Sequence, residues 1–427
     1  MNDYQLFLLN FITYFTISLL SYIKFKGNLV FSKIWLWWAV SSFTTIYFVF
    51  EGQQELYKIE IWPFLFIVMN LFIITWPFLF LKTSDIRYDN LRESDKYISW
   101  LDKLPKLLFI ILLLPTIENF ILALSLQAND LEALYNREDS GVDTYHRLSF
   151  YSRNANRIVD YIFYVVPFLI FRELSKEKLN KNIIFFLSIV MLDILLSSYN
   201  LAARTEFVKI ILCFFSYYIF FRHIIPVGRL KIIKRCSIIL LSCFSAVLLI
   251  ITMARFSSMD TDNNIFVWLS LYSGEGFYRF SNLMWYMNDV QMWGDDNFPL
   301  IKSILGFDTF TNQLDRMDYW APKVGIPCNI FYTFIGNFVF DFGFYGATLF
   351  SILLGLCIYN NNIAMKKKLY YYHIIIFSVF TVMLFFGIMH FVYKVWGDQY
   401  RLLGLLLFAF LLRRSEKSSK QDRLRLA

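Results

Sequence analysis

Several arginines of this chain stand beside apolar segments, and an arginine in that position can bind an anionic ligand. Arg204 directly precedes an apolar run that predicts a helix, so it is expected near a helix N-terminus. Free backbone N–H groups and the helix dipole already attract an anion there, and a guanidinium group adds a planar pair of donors that fits phosphate. Arg204 is therefore a candidate phosphate ligand. The alternative is an arginine that reaches the membrane surface or pairs with a nearby glutamate.

A second group of candidates lies in the run Ser273–Phe280, where glycines alternate with charged and aromatic residues. Arg279 could bind an anion, and Tyr278 is the kind of aromatic residue that stacks on a sugar ring. Glu275 is the best placed carboxylate for a general base, and the glycines permit a close approach of the backbone. The alternative is that Arg279 simply forms an ion pair with Glu275 or Asp289.

Polar and charged residues gather again near the start of the last apolar segment: His390, Tyr393, Lys394, Asp398 and Arg401. His390 could carry a proton, or it could be a hydrogen-bonded histidine at the membrane interface. Arg401 is a candidate for closing a site around a bound anion.

Arg255, at the end of an earlier apolar run, is a further candidate phosphate ligand, again with a membrane-edge arginine as the alternative. Arg316 lies in the same hydrophilic stretch.

Asp341 interrupts an apolar run, and a carboxylate in that setting usually faces the protein interior or a cavity. Because Gly343 and Gly346 offer close helix packing nearby, Asp341 is a candidate for packing or for substrate binding.

Asp260 and Asp262 have the spacing of a metal–nucleotide motif, but a solvated acidic turn is the simpler interpretation. The 5 cysteines and 4 histidines are dispersed, so the sequence predicts no metal site and no disulfide. No cofactor is expected, and ATPase, zinc-protease and serine-hydrolase motifs are absent from the sequence.

The elements that must position these residues are apolar runs. The chain is 57% hydrophobic and 17% charged, whereas soluble proteins are roughly 25% charged. Runs of ~20 apolar residues predict membrane-spanning helices, so the fold class is an all-α polytopic membrane protein with about 11 transmembrane helices. The predicted spans are Tyr4–Ile23, Ile34–Phe50, Ile61–Leu81, Leu107–Leu126, Ile158–Phe171, Ile183–Tyr199, Thr205–Phe221, Cys236–Ala254, Phe331–Tyr359, Tyr370–His390 and Val395–Leu412.

Lysine and arginine alternate strongly between successive connections. Most of the 41 lysines and arginines fall in every second connection, and the positive-inside rule places those connections in the cytoplasm. The N-terminus is then outside and the C-terminus cytoplasmic, and the net charge of +8 needs no nucleic acid to explain it. The predicted regions are helices 1–8 in 1–254, a long extracytoplasmic loop in 255–330, helices 9–11 in 331–412 and a basic cytoplasmic tail in 413–427.

Two short stretches carry a family resemblance. The first is an arginine motif at the start of a mid-chain helix, with the residues Arg204-Thr205-Glu206-Phe207. The second is a late-helix motif at the end of the long loop, with the residues Asn329-Ile330-Phe331-Tyr332-Thr333-Phe334-Ile335-Gly336, Asp341-Phe342-Gly343 and Gly346. Both resemble motifs of bacterial oligosaccharide repeat-unit polymerases, the Wzy or O-antigen polymerase family. The long outward loop in the second half of the chain also fits that family.

The resemblance implies a membrane-embedded glycosyltransferase of the GT-C type in the bacterial cytoplasmic (inner) membrane. Its substrate would be an oligosaccharide repeat unit on undecaprenyl diphosphate, transferred without a metal to another lipid-linked unit on the outer face. Tyr332 and Thr333 are then expected to contact substrate, with Arg204, Arg279 and Glu275 in the catalytic role. Besides the bilayer, a chain-length regulator membrane protein is an expected partner.

Three alternatives remain open from the sequence. An O-antigen ligase uses the same donor but a lipid A-core acceptor. A flippase or other transporter of lipid-linked sugars belongs to a different class and needs charged residues deep in several spans. A structural membrane scaffold would not need arginines on the outer side.

Overall fold

The computed structural model describes residues 3–25, 29–50, 58–83, 86, 91, 100–126, 147–201, 203–256 and 265–426. Within these ranges the chain forms helices and no β-strand, which confirms the predicted all-α class. The α-helices are α1 (Asp3–Lys24), α2 (Leu29–Phe50), α3 (Trp62–Thr75), α4 (Trp100–Ser125), α5 (Phe150–Ile162), α6 (Val165–Ser175), α7 (Lys181–Asn200), α8 (Arg204–Phe221), α9 (Val227–Phe256), α10 (Ile265–Asn282), α11 (Pro299–Ile304), α12 (Gln313–Val324), α13 (Thr333–Lys367), α14 (Tyr371–Phe386) and α15 (Trp396–Leu426). Short 3₁₀ helices occupy Trp76–Phe80 and Met284–Tyr286.

Five helical segments of the described residues are long and apolar enough to cross a membrane: α1, α3 with its 3₁₀ extension, α4, α7 and α13. They support a membrane protein, and the full number of crossings stays a prediction. The predicted fifth span is divided, because α5 ends at Ile162 and α6 begins at Val165. Helix α15 continues through the predicted basic tail to Leu426, and the cytoplasmic position of the tail stays a prediction.

The chain folds into two compact units. Unit 1 comprises Met1–Asp85, Asp262–Lys368 and Ile376–Gln399, and unit 2 comprises Ile86–Thr261, Leu369–Ile375 and Tyr400–Ala427.

In unit 1, α10 packs against α2, and α2 in turn packs against α1. The contact between α10 and its neighbours is aromatic. Phe277 lies with its ring centre 5.5 Å from that of Trp38 and 5.6 Å from that of Tyr14, and all three side chains are buried. The predicted loop 255–330 thus contains a helix that belongs to the apolar core of unit 1.

Helix α13 is broken near its start. Gly343 has φ 67° and ψ −179°, a left-handed backbone conformation that only glycine adopts readily. The break divides α13 into a short first part, which carries Asp341, and a longer apolar part that packs on α3.

In unit 2, α4 packs mainly against α7, and α6 packs against α8. Asn180 caps α7, because its side chain accepts hydrogen bonds from the N–H groups of Asn182 and Ile183 at 3.1 and 3.4 Å. Ser149 caps α5 in the same way through the N–H of Ser152. Side-chain caps of this kind satisfy the first N–H groups of a helix and fix where it begins.

Candidate anion-binding site

Helix α10 carries the predicted residues Glu275 and Arg279 and holds them inside unit 1. A Cβ atom added at Gly276 would lie 2.3 Å from the carbonyl oxygen of Ile388. That distance leaves room for hydrogen alone, so the glycine is needed for packing. The close backbone approach predicted for the glycines of this run is therefore made to the protein's own backbone.

Arg279 and Glu275 form an ion pair one helical turn apart. The Nε atom of Arg279 lies 3.4 Å from Oε1 of Glu275, and the guanidinium carbon lies 5.5 Å from the centre of the Tyr278 ring. The side chain of Arg279 is 18% exposed and that of Glu275 is 7% exposed. The pairing that the sequence left open is present, and part of the Arg279 side chain can still meet a ligand.

Three residues predicted to bind substrate lie in the core of unit 1. Tyr278, Tyr332 and Thr333 are each 0% exposed. The ring of Tyr278 packs beside Phe7 with centres 6.2 Å apart, and the Tyr332 hydroxyl donates to the carbonyl of Pro327 at 2.8 Å. The buried faces of α10 and of the start of α13 use these side chains for packing, and their contact with substrate stays a prediction.

Asp341 organises the segment that follows α10. Its carboxylate accepts hydrogen bonds from the backbone N–H groups of Gly294, Asp296 and Asn297 at 3.0, 3.0 and 2.9 Å. The side-chain amide of Asn297 donates to it as well, at 2.7 Å. These bonds compensate the burial of the carboxylate, and they favour the packing role that the sequence analysis offered for Asp341 over direct substrate binding.

The segment held by Asp341 presents one carboxylate to two cationic side chains. Oδ1 of Asp296 lies 2.9 Å from Nη1 of Arg316 and 4.0 Å from Nζ of Lys394. All three side chains are less than 10% exposed. We call Asp296, Arg316 and Lys394 the Asp296 cluster.

The Asp296 cluster contains a buried donor that no described residue uses. Arg316 also donates through Nη1 to the carbonyls of Asp296 and Asp295, at 3.1 and 3.4 Å. Its Nη2 atom is buried and has no hydrogen-bond partner within the described part of the chain. A buried donor without a partner costs free energy, and an anionic oxygen would satisfy this donor.

Cys328 lies beside the Asp296 cluster, and the charges of all three members act on its thiol. Burial raises the pKa of Cys328 to about 12. Burial lowers the pKa of Lys394, and the charges of Asp296 and Asp341 oppose that shift. The Asp296 cluster and the Arg279–Glu275 pair both lie in unit 1, and together we call them its charged region.

His390 lies in the same unit. Its ring stacks on that of Phe331, with centres 5.5 Å apart, and meets the edge of Phe386 at 4.9 Å. Phe331 in turn lies 6.1 Å from the ring of Tyr272 on α10. His390 is thus held by aromatic rings beside the start of α13, and its role as a proton carrier stays a prediction.

Arg401 occupies a separate charged site in unit 2. Its Nε and Nη2 atoms donate to Oδ1 of Asp160 at 3.1 and 3.0 Å, and its Nη1 atom donates to Glu206. Glu206 also accepts from Nζ of Lys209 at 2.9 Å. Two cations and two carboxylates compensate each other here, so Arg401 acts first as a bridge between α5, α8 and α15.

The predicted site residues are divided between the two units. Glu275, Arg279, Tyr332, Thr333 and His390 come together in unit 1, whereas Arg401 lies in unit 2. Helix α8 begins at Arg204, as predicted, and Arg255 lies at the end of α9. The side chains of these two arginines lie outside the described part of the structure, as do Asp260 and Asp262 entirely.

The Asp296 cluster was not predicted from the sequence as a site. Arg316 and Lys394 were visible as charged residues in regions predicted to face outward, but their shared carboxylate lies 20 residues from Arg316 in the chain. The run Asp295–Asn297 was the one sequence feature that indicated this cluster. Its three consecutive side chains all carry acceptor oxygens, and such side chains before an apolar segment need hydrogen-bond or ion-pair partners. Among the described residues, no three histidine, cysteine or acidic side chains are grouped to hold a metal.

Comparison of the chain with protein-family models, with curated proteins and with solved structures finds no match in any of the three.

Proposed function

We propose that this chain is a membrane-embedded glycosyltransferase that joins oligosaccharide repeat units carried on undecaprenyl diphosphate, as the resemblance to the O-antigen polymerase family implies. The transfer takes place on the outer face of the bacterial inner membrane. The GT-C type of fold, the 11 spans of the sequence analysis and the orientation of the termini are parts of this proposal.

The observation that carries the proposal is the buried Nη2 atom of Arg316 in the Asp296 cluster, which has no hydrogen-bond partner among the described residues. Arg316 and Lys394 lie 2.9 and 4.0 Å from the Asp296 carboxylate, and the charge of Asp341 also acts on Lys394. An anionic substrate group supplies the acceptor that the Arg316 donor lacks. The cluster lies next to the late-helix motif on which the family resemblance rests, since Asp341 of that motif accepts from the backbone N–H of Asp296 at 3.0 Å.

The chemistry assigns a role to each charged group. When an acceptor hydroxyl attacks the anomeric carbon of the donor, the bond to the lipid diphosphate breaks and negative charge develops on the leaving oxygen. Fixed cations in a site that excludes water stabilise that charge more strongly than water does. Arg279 approaches the diphosphate through its exposed edge, and the unused donor of Arg316 binds an anionic oxygen. Glu275 accepts the proton of the acceptor hydroxyl.

The test is complementation of a strain that lacks this gene, with the surface polysaccharide resolved by gel electrophoresis. Arg279→Ala and Arg316→Ala are expected to reduce chain extension by a factor of ~10²–10³, by analogy with the loss of one oxyanion-stabilising donor. Arg279→Lys is also expected to be poor, because the planar donor pair is lost. Lys323→Ala is the matched control, since Lys323 lies over the Tyr319 ring at 3.3 Å and outside the cluster.

Each outcome of this experiment is informative. Normal polymer ladders with Arg279→Ala and Arg316→Ala, at wild-type protein levels, contradict the proposal. A product with a single repeat unit supports a polymerase, whereas free polymer that is not attached to its acceptor indicates a ligase.

A transporter of lipid-linked sugars is the second candidate, because unit 2 has polar groups inside its helices. Asn119 of α4 donates to Asp193 of α7 at 2.9 Å, and Asn200 donates to the carbonyl of Asn119 at 3.0 Å. Polar residues within membrane helices often mark substrate or ion paths. If Asp193→Asn abolishes the appearance of single repeat units outside the cell, while Arg279→Ala does not alter chain length, the transporter is the better assignment.

A further inference from the structure

A cavity of about 850 Å³ lies in unit 2, where α4 begins and where α6 turns into α7. Four lysines line it: Lys106, Lys176, Lys178 and Lys181. In the sequence these residues indicate only the cytoplasmic side. Their arrangement in one cavity groups their charges around a single space.

The two acidic residues of the cavity are already compensated. Asp102 accepts from Arg172 at 2.9 Å and from Lys176 at 2.8 Å. Glu173 pairs with Lys176 at 2.7 Å and accepts from the backbone N–H of Asn180 at 2.9 Å. Neither carboxylate therefore neutralises the remaining lysines.

Three lysines are left for a ligand. Lys106, Lys178 and Lys181 form no ion pair and no side-chain hydrogen bond within the described residues. The N-terminus of α7 does not bind the anion itself, because its first free N–H groups are capped by Asn180. The positive charge of the cavity thus comes from the three lysine side chains.

The cavity also has an apolar side, formed by Leu179, Ile183 and Phe186. The Phe186 ring packs on that of Phe109, with centres 4.7 Å apart. Next to it on α4, Ile110 is 60% exposed. A ligand that fits must therefore be anionic at one end and apolar at the other, and a free phosphate ion would leave the apolar wall uncovered.

We propose that this cavity binds the headgroup of an anionic phospholipid. The phosphate lies among Lys106, Lys178 and Lys181, and an acyl chain runs along the exposed apolar faces of α4 and α7. Basic cavities between membrane helices on the cytoplasmic side are suited to such headgroups. The proposal does not depend on glycosyl transfer.

The test uses the purified full-length protein in a neutral detergent, with lipid binding measured by native mass spectrometry and the thermal unfolding midpoint measured in parallel. The probes are dioleoyl phosphatidylglycerol, dioleoyl phosphatidylcholine and the soluble headgroup analogue glycerol 3-phosphate. The variant is the triple substitution Lys106→Gln, Lys178→Gln and Lys181→Gln. The matched control is Lys366→Gln, Lys367→Gln and Lys368→Gln, which removes three exposed lysines outside the cavity.

The wild type is expected to retain phosphatidylglycerol in preference to phosphatidylcholine. Each cavity lysine should contribute about fivefold to the affinity at low salt, since a lysine near an anionic lipid contributes about 1 kcal/mol. The cavity variant should lose this preference and the control should keep it. If the triple variant does not fold, Lys178→Gln alone should still weaken binding about fivefold.

Three results would overturn the proposal. Equal retention of the two lipids by the wild type shows that the cavity does not select an anionic headgroup. An equal loss in the control variant shows that binding follows the total charge and not this cavity. A stabilisation by glycerol 3-phosphate as large as that by phosphatidylglycerol shows that the ligand is a soluble anion.

Discussion

At the scale of single residues, the Asp296 carboxylate determines how the charged region of unit 1 is held together. It pairs with Arg316 and Lys394, and its Oδ2 accepts from the side-chain amide of Asn337 at 2.7 Å. Because both cations pair with this carboxylate, its removal would leave Arg316 buried without its ion-pair partner, while Lys394 would keep only the charge of Asp341. Breaking a buried pair in this way costs more than the pair itself contributes.

The substitution Asp296→Asn is therefore expected to destabilise the protein by about 3–5 kcal/mol, the usual cost of an uncompensated buried charge. The measurement is the thermal unfolding midpoint of the purified protein. Asp289→Asn is the control, because Asp289 is exposed and accepts only from Gln291 among the described side chains, at 2.9 Å. An unchanged midpoint with Asp296→Asn would show that the cluster is not a stabilising element of unit 1.

The sequence predicted some of these residue contacts and missed others for a physical reason. Arg279 and Glu275 are four positions apart on one helix, so their pairing follows from helix geometry. Arg316 and Asp296 are brought together by the turn that Asp341 holds, and such a contact cannot be read from spacing. The burial of Tyr278 has the same cause, since only the packing of α10 on its neighbours decides which face is covered.

At the scale of elements, α10 is the clearest difference between expectation and structure. The sequence placed this segment in a loop, because glycines and charged residues lower its apolar content. In the structure the same residues allow α10 to pack inside unit 1. Gly276 allows contact with the backbone at Ile388, and the ion pair between Arg279 and Glu275 compensates the burial of their charges. The helix starts predicted at Thr205 and Phe331, by contrast, needed only local apolar patterning and lie within two residues of the observed starts at Arg204 and Thr333.

The substitution Gly276→Ala is expected to destabilise unit 1, because the new Cβ would lie 2.3 Å from a backbone oxygen that cannot move aside easily. Overpacking of this kind costs about 1–3 kcal/mol, which should lower the thermal midpoint and the yield of folded protein. Gly228→Ala is the matched control, because Gly228 also lies in a helix and has no atom within 4 Å of an added Cβ. That control should be neutral or slightly stabilising, since alanine favours a helix over glycine. Equal midpoints for the two variants would contradict the close packing of α10.

At the scale of the whole molecule, apolar runs and charge alternation were sufficient to predict a helical membrane protein. Helices are present at the predicted spans, and five of the segments have the length and hydropathy to cross a bilayer. The division into two units was not predictable, because α14 and α15 each contribute residues to both and nothing in their apolar pattern marks the boundary. The orientation in the membrane depends on lysine and arginine counts alone, so it requires a direct test.

Labelling of single cysteines in the full-length protein provides that test. A cysteine at Ser303, which is exposed on α11, should react with a membrane-impermeant maleimide in intact spheroplasts, whereas one at Lys178 should react only after permeabilisation. The positive-inside rule predicts this difference, because lysines concentrate on the side of the second position. Cys328 should contribute no background, since burial raises its pKa to about 12 and the thiolate is the reactive form. Substitution of the other native cysteines by serine removes the remaining background.

If the cysteine at Ser303 is protected in intact spheroplasts and the one at Lys178 is labelled, the Asp296 cluster faces the cytoplasm. A donor carried to the outer face could then not reach it.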